Sequence, residues 1–382
     1  MPIKFVDLAA QNCEIRGRVD AEHRRIHDCT AYVGGPQVAE FENRFADYLG
    51  VGHVSGVASG TDALRLALIA SGVEPGHEVI TTPMTFIATA EAIFQAGAVP
   101  AFVDVDPDSA NISVEGVQRY LESGKFRSPK GPRAIVPVHL YGSPAPMEPL
   151  TEIARRYNLL VIEDACQAHG ARVYAGGGWK RAGAAGAAGC FSFYPGKNLG
   201  AWGEGGAVAT NDGDLAARVA LLRDHGRVSH YLHQESGYNA RLDTIQAAVL
   251  LAKLERLEDW NARRRAIARR YCELLAGSGV VTPTDPEGTE SCYHLFVIRS
   301  EKRDSICEAL SRDAIGCGIH YPVPLHLQPA CRMLGYRSGD FPVSEHIADT
   351  VVSLPMHPHL TEEQVATVAG AVRGALDAHR AE

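Results

Sequence analysis

The residues of this chain whose types and spacing could do chemistry are a lysine, a carboxylate and a run of small residues, each just behind an apolar segment. Lys197 closes the stretch Gly189-Cys-Phe-Ser-Phe-Tyr-Pro-Gly-Lys197, where a strand-like run stops at a Pro-Gly turn. Partial burial at a strand's carboxyl end would depress the amine's pKa and make the neutral, nucleophilic form accessible. A solvated loop lysine is the bland alternative for any lone lysine. Asp164 ends the run Leu160-Val-Ile-Glu-Asp164, followed by Ala-Cys-Gln167-Ala-His169-Gly170. Alternation along a strand sends Glu163 and Asp164 to opposite sides, so only one can face a site. A buried acid there needs a partner such as a protonated ring nitrogen, although a metal carboxylate or a helix N-cap would also fit.

Ala58-Ser-Gly60-Thr61-Asp-Ala-Leu64 puts small residues directly before a helical pattern, which would leave backbone N–H groups free to hold an anion; plain helix capping is the simpler reading. Ser192, five residues before Lys197, adds a hydroxyl, and Phe86 in Thr85-Phe-Ile-Ala-Thr89 adds an aromatic ring that by itself reads as core. An amine for a Schiff base, an acid for a ring nitrogen, a phosphate nest and a stacking ring are what transamination through pyridoxal phosphate (PLP) demands. Other patterns carry less. Gly200-Ala-Trp-Gly-Glu-Gly-Gly206 lacks the strand and helix of a dinucleotide loop, and His357-Pro-His359 lacks further metal ligands. The run Arg263-Arg264-Arg265 reads as a solvated, salt-bridged helix face.

These side chains need an α/β frame. Strand-like runs at Glu78–Thr82, Pro100–Val105, Ala134–Leu140, Leu159–Ala165, Cys190–Phe193 and Gly206–Thr210 alternate with helical patterns at Val38–Leu49, Thr61–Ala70, Ala88–Ala96 and Pro149–Tyr157. That predicts a mostly parallel sheet covered on both faces, with ligands beyond the strands' carboxyl ends. The Gly/Ala-rich stretch Arg172–Gly189 reads as a loop, and Leu242 to about Ala276 as one long helix. The expected division is a large domain over 1–255 and a smaller α+β domain over 256–382, with strand-like Tyr293–Arg299 in the latter. The net charge of -8 argues against nucleic acid or an acidic membrane as the main partner. Nine cysteines without a CxxC pair fit reduced thiols in the cytoplasm, no metal site is indicated, and no apolar run approaches the length of a membrane span.

Many ordered segments resemble the DegT–StrS family of sugar aminotransferases, members of the type I (aspartate aminotransferase) PLP fold. They are Gly34-Gly-Pro36, Ser59-Gly-Thr-Asp-Ala63, Thr85-Phe-Ile-Ala-Thr89, Glu163-Asp-Ala-Cys-Gln-Ala-His169, Phe191-Ser-Phe-Tyr-Pro-Gly-Lys-Asn-Leu199 and Gly203-Glu-Gly-Gly206. The series continues with Gly237-Tyr-Asn239-Ala-Arg-Leu-Asp243, Gln246-Ala-Ala, His320-Tyr-Pro-Val-Pro-Leu-His326, Phe341-Pro-Val-Ser-Glu345 and Ser353-Leu-Pro-Met356.

The resemblance implies that Lys197 binds the cofactor and moves the proton, Asp164 pairs with the ring nitrogen and Gln167 contacts the phenolic-oxygen side. It further implies that Gly60, Thr61 and Ser192 hold the phosphate, Phe86 stacks, and Asn239 reaches the site of a second subunit in a homodimer. His320, Tyr321 and His326 lie in a stretch similar to relatives acting on 3-keto sugars. The implied reaction moves an amino group from L-glutamate to C-3 of a nucleotide-linked keto-sugar of the dTDP-3-keto-6-deoxyhexose type. A C-4 keto-sugar or a UDP-3-keto-uronate is the alternative acceptor. A sugar dehydratase of this family would replace the lysine by histidine, and a regulator would have lost the lysine or the acid. Ala187 stands where the family commonly has an acid, which puts the local loop in doubt.

Overall fold

Residues 2–378 are described by the computed structural model. The chain opens with two helices, α1 (Leu8–Cys29) and α2 (Pro36–Leu49), the second started by Pro36 at its first turn and stopped by Gly50 in the left-handed region. Strands and helices then alternate: β1 (His53–Val57), α3 (Gly60–Ala70), β2 (Glu78–Thr81), α4 (Ala88–Gln95), β3 (Val99–Phe102), α5 (Val114–Ser123), β4 (Pro132–Ile135), α6 (Met147–Arg156) and β5 (Leu160–Asp164). A hairpin of β6 (Arg172–Ala175) and β7 (Gly178–Arg181) follows, then β8 (Ala188–Ser192), β9 (Gly206–Thr210) and α7 (Gly213–Leu222). Seven strands form one sheet in the order β1-β9-β8-β5-β4-β2-β3. Only β9 runs against its neighbours, so β1, β2, β5 and β8 all end at the same edge. Their side chains are nearly all buried, as the apolar runs require in a sheet covered on both faces.

Beyond the sheet come the short hairpin β10 (Arg227–Ser229) and β11 (Leu232–His233), then α8 (Thr244–Leu254) and α9 (Leu257–Leu275). The remainder is β12 (Thr289–Glu290), β13 (Phe296–Arg299), α10 (Arg303–Arg312), α11 (Pro342–Thr350), β14 (Val351–Leu354) and α12 (Glu362–Ala378). β13 and β14 pair antiparallel beneath a separate apolar cluster that includes Tyr271, Phe296, Leu310 and Val368.

Two expectations are corrected. The stretch Arg172–Gly189 is no simple loop: it holds the β6–β7 hairpin, turned at Gly176 and Gly177 with φ of 63° and 80°. Val173 and Ala175 bury one face; the two strands are only four residues each, and the glycine turn and the Gly/Ala run after Arg181 hide the strand-favouring Val173, Tyr174 and Trp179. The long helix Leu242–Ala276 is two helices, broken at Glu255-Arg256. No Gly or Pro marks the break; Glu255 is instead bonded by Arg18 and Arg44 from α1 and α2, a tertiary contact the local pattern does not contain. Strand β1 lies outside the strand-like runs of the sequence, because Ser55-Gly56 interrupts its apolar residues, yet a Cβ at Gly56 would lie 2.9 Å from Leu242 Cδ2.

Glu163 and Asp164 do part ways at the end of β5, and both are buried. Glu163 accepts from the N–H groups of Gly183, Ala185 and Gly186 at 2.7, 2.7 and 2.6 Å, so it ties down the segment around the alanine at position 187. Nε2 of His139 lies 2.8 Å from its carboxylate, and Nδ1 of the same ring accepts from Ala145 N at 2.9 Å. The ring is therefore neutral and donates through Nε2. Burial alone would push the Glu163 carboxyl up; the His139 hydrogen bond and the Gly186 and Gly183 donors outweigh it and hold it below the ordinary range. Its stabilisation is thus present above the ordinary carboxylate range and fades as pH falls through the lowered value. Glu163→Ala is expected to lose about 3–5 kcal/mol in urea unfolding at neutral pH, with the gap to wild type closing below about pH 4. An unchanged midpoint at neutral pH would contradict this role.

Candidate active site

At the shared edge of the strands lies a cavity of about 640 Å3. Seven of the residues read from the sequence line it: Gly60, Thr61, Phe86, Asp164, Gln167, Ser192 and Lys197. His320 and Tyr321 line it as well. Two others do not. Asn239 is exposed elsewhere on this chain, its Oδ1 taking Arg241 Nη2 at 2.8 Å. His326 is buried with Nε2 3.0 Å from Glu345 Oε1 and its ring against Phe341, so the expectation that it faces a substrate is not met in this chain.

Asp164 ends β5 and is 5% exposed. Thr89 Oγ1 donates to its Oδ2 at 2.8 Å, and Cys166 N donates to its Oδ1 at 3.2 Å. Thr89 has one proton and spends it there, so the neighbouring Thr85 hydroxyl, 3.1 Å away, must donate to Thr89. Among the described residues Asp164 has no ion pair. A buried carboxylate held only by neutral donors has room for a cationic N–H.

Lys197 lies beyond β8, which pairs with β5 so that Cys190 stands opposite Asp164. Its backbone N–H closes the turn onto Tyr194 O at 2.9 Å. Burial pushes the ammonium below the ordinary lysine value, against the pull of Cys166, Asp164 and Cys292. His169, among the aromatic rings of Phe191 and Phe193, is driven down to about 3 by burial and then by Lys197.

At the start of α3, Ser59 caps the helix through its side chain, accepting from Asp62 N at 3.1 Å. That leaves the N–H groups of Gly60 and Thr61, at the positive end of an eleven-residue helix, on the cavity wall. A Cβ on Gly60 would come within 2.6 Å of Ser192 Cβ, so only glycine lets the helix end and the Ser192 hydroxyl meet at one spot. Gln167 is fixed at both ends of its amide: Oε1 accepts from Tyr141 N at 2.7 Å, and Nε2 donates to Tyr321 OH at 3.1 Å, which leaves one N–H for the cavity. Phe86 is 54% exposed with its ring centre 5.9 Å from that of Tyr321, an open apolar face on the cavity. His320 is stacked on Phe5 and held by Ser353 Oγ at 2.8 Å, while Tyr141 OH donates to its carbonyl. Phe5 and Glu204 also line the cavity; Phe5 carries no signal in the sequence, and Glu204 has only a place within Gly203-Glu-Gly-Gly206, with no role. Phe5 precedes every recognisable element, and Glu204 sits in a glycine-rich loop without the flanking strand and helix of a nucleotide site.

Sheet, cavity and side chains together have the architecture of the type I PLP-dependent transferases. Residues 14–373 match the DegT/DnrJ/EryC1/StrS aminotransferase family, and the chain belongs to it. It is 46% identical to the erythromycin biosynthesis sensory transduction protein EryC1 of Saccharopolyspora erythraea, over 95% of this chain and 96% of that one. It is 43% identical to dTDP-3-amino-3,4,6-trideoxy-alpha-D-glucose transaminase of Streptomyces venezuelae, over 97% of this chain and 95% of that one. A UDP-2-acetamido-2-deoxy-3-oxo-D-glucuronate aminotransferase of Pseudomonas aeruginosa is 38% identical over 97% of this chain and 99% of that one. The solved structure of S. venezuelae DesV in complex with ketimine intermediate matches with a TM-score of 0.93 at 42% identity, covering 98% of this chain and 99% of that one. That of Bacillus subtilis NtdA with bound cofactor PMP matches at 0.86 and 28% identity, covering 95% and 82%.

A lysine whose pKa is lowered is more often neutral than its exposed counterparts at mildly alkaline pH. In unliganded protein, limited trinitrobenzenesulfonate labelling followed by peptide mapping is expected to modify Lys197 with a lower pH midpoint than free Nα-acetyl-lysine under the same conditions. A midpoint equal to or above that of the free amino acid would contradict the burial effect.

Proposed function

We propose that this chain is a PLP-dependent aminotransferase that moves an amino group from L-glutamate to C-3 of a nucleotide-linked keto-sugar, of the dTDP-3-keto-6-deoxyhexose type. The observation that carries the reading is the pairing, in one cavity, of a depressed lysine with a buried aspartate that lacks a cation. Bound there, PLP supplies an aldehyde that carries the amino group and a ring that accepts electrons from the reacting carbon. Gly60 N–H, Thr61 N–H and the Ser192 hydroxyl bind its phosphate, Asp164 takes the ring N–H, and Phe86 covers the ring. The free N–H of Gln167 is directed to the phenolic oxygen.

Lys197 Nζ takes the proton from the donor's carbon and later delivers one to the sugar's carbon, a task that requires its neutral form. His320 and Tyr321 line the part of the cavity assigned to the sugar. Asn239, exposed on its own chain, completes the phosphate site of a second copy in a cytoplasmic homodimer. The chain divides into a large domain of residues 1–255 and a smaller one of residues 256–382, a reading supported by the break between α8 and α9 and by the separate cluster around β13. One relative is named for sensory transduction and another for pleiotropic regulation; a non-catalytic regulator is expected to have lost the lysine or the acid, and the presence of both Lys197 and Asp164 favours catalysis.

Pyridoxamine-loaded protein is to be incubated with dTDP-3-keto, dTDP-4-keto and UDP-3-keto-uronate sugars, with products identified by mass spectrometry and NMR. An amine at C-3 of the dTDP sugar is expected; transfer only to C-4, or only to the uronate, would contradict the assignment. Asp164→Asn is expected to lower kcat about 10²–10³-fold, because an unprotonated ring stabilises the carbanion poorly. Turnover near that of wild type would mean another group protonates the ring.

A further inference from the structure

Behind Lys197 runs a chain of buried amides whose orientation is fixed. Asn261 Nδ2 donates to His169 O at 2.8 Å, so its Oδ1 faces Asn198. Asn198 Nδ2 donates to that Oδ1 at 2.9 Å and to Cys292 O at 3.1 Å. Both amides are thus anchored on backbone carbonyls, which only accept, and neither can be flipped without losing a bond. Asn198 therefore turns Oδ1 toward Nδ1 of His294, 3.3 Å away. An amide oxygen has no proton to give. Nδ1 must carry it, and a neutral ring then has a bare lone pair on Nε2.

His294 shares the wall of the cavity with Lys197. Its backbone is pinned by Arg264, a residue the sequence places on a solvated face but which is 3% exposed. Arg264 Nη1 reaches Tyr293 O at 3.2 Å, His294 O at 3.4 Å and Met356 O at 2.9 Å, while its neighbours, exposed Arg263 and half-buried Arg265, do pair with acids. The charges that bear most on the ring are those of Lys197, Arg264, His169 and His320, and the Cys292 thiol lies against the His294 backbone. Burial, then the charges of Lys197 and Arg264, hold His294 well below the ordinary histidine value, which keeps the ring neutral. Among the described residues the Lys197 amine makes no hydrogen bond. Asp164 keeps its open side for the cationic ring N–H assigned to it, and the Cys166 thiol stays protonated because burial and then the Asp164 charge push it up.

We propose that His294 is a positioning residue for Lys197: its Nε2, set by the Asn198–Asn261 relay, accepts one N–H of the lysine amine and turns the amine's lone pair toward the reacting carbon. No proton changes hands in this contact; it fixes direction only. The proposal rests on Lys197 being the reactive amine.

The test combines nitrogen NMR of histidine-labelled holoenzyme, with His294 assigned by its loss in a variant, and kinetics of two substitutions. The His294 signals are expected to show a proton on Nδ1 and none on Nε2, without titration across the neutral range. His294→Phe, which cannot accept, is expected to lower kcat about 10²-fold with little change in KM, and His294→Gln, whose Oε1 can accept, to recover about tenfold of that loss. A protonated Nε2, or a His294→Phe enzyme with the kcat of wild type, would overturn the proposal. Should the Phe variant fail to fold, the wild-type tautomer and the Gln variant still decide. Absence of amine transfer by the wild type itself would instead bring down the reading on which the proposal rests.

Discussion

A carboxylate with 5% exposure, bonded to one hydroxyl and one backbone N–H and, among the described residues, to no cation, is the constraint around which this fold is arranged. Such a group is costly to bury unless a positive partner arrives, and the cavity in front of it has the size and the walls to admit one. The hydroxyl chain from Thr85 through Thr89 aims the acid, and both threonines come from the stretch that leads from β2 into α4. Lys197, on the same cavity, arrives from β8, the strand paired directly with the one that ends in Asp164. The helix end with Gly60 and Thr61 on the cavity wall arrives from β1, which lies beyond β9 in the same sheet. Parallel direction is what brings these three strand ends to one edge.

Glu163 shows why one residue of register matters here. A single step along β5 separates an acid that serves the cavity from one that serves the frame, where it gathers Gly183, Ala185 and Gly186 and meets a neutral His139. The segment so held leads straight into β8 and so to Lys197. With alanine at position 187, the acceptor that holds this loop is Glu163, through Ala185 and Gly186.

The parts of this arrangement legible in sequence are those fixed by local pattern. Apolar runs located β2, β5, β8 and β9, and small residues ahead of a helical pattern located the start of α3. What stayed hidden depends on contacts far apart in the chain. The break at Glu255-Arg256 coincides with ion pairs from arginines of α1 and α2, and the short strands of the β6–β7 hairpin are flanked by glycine and alanine. Arg264 looks like its two neighbours, since nothing in Arg263-Arg264-Arg265 says which guanidinium turns inward. His326 and His320 belong to one short motif, yet only His320 reaches the cavity, because the ring of His326 is drawn to Glu345 and Phe341. Phe5 could not be placed at all without the tertiary fold.

Covalent trapping tests the central claim most directly. The protein is loaded with PLP, reduced with borohydride, digested, and the labelled peptide sequenced. A single label on Lys197 is the expected result; a label on another lysine, or none on fully loaded protein, would contradict the pairing of that amine with Asp164 across the cavity.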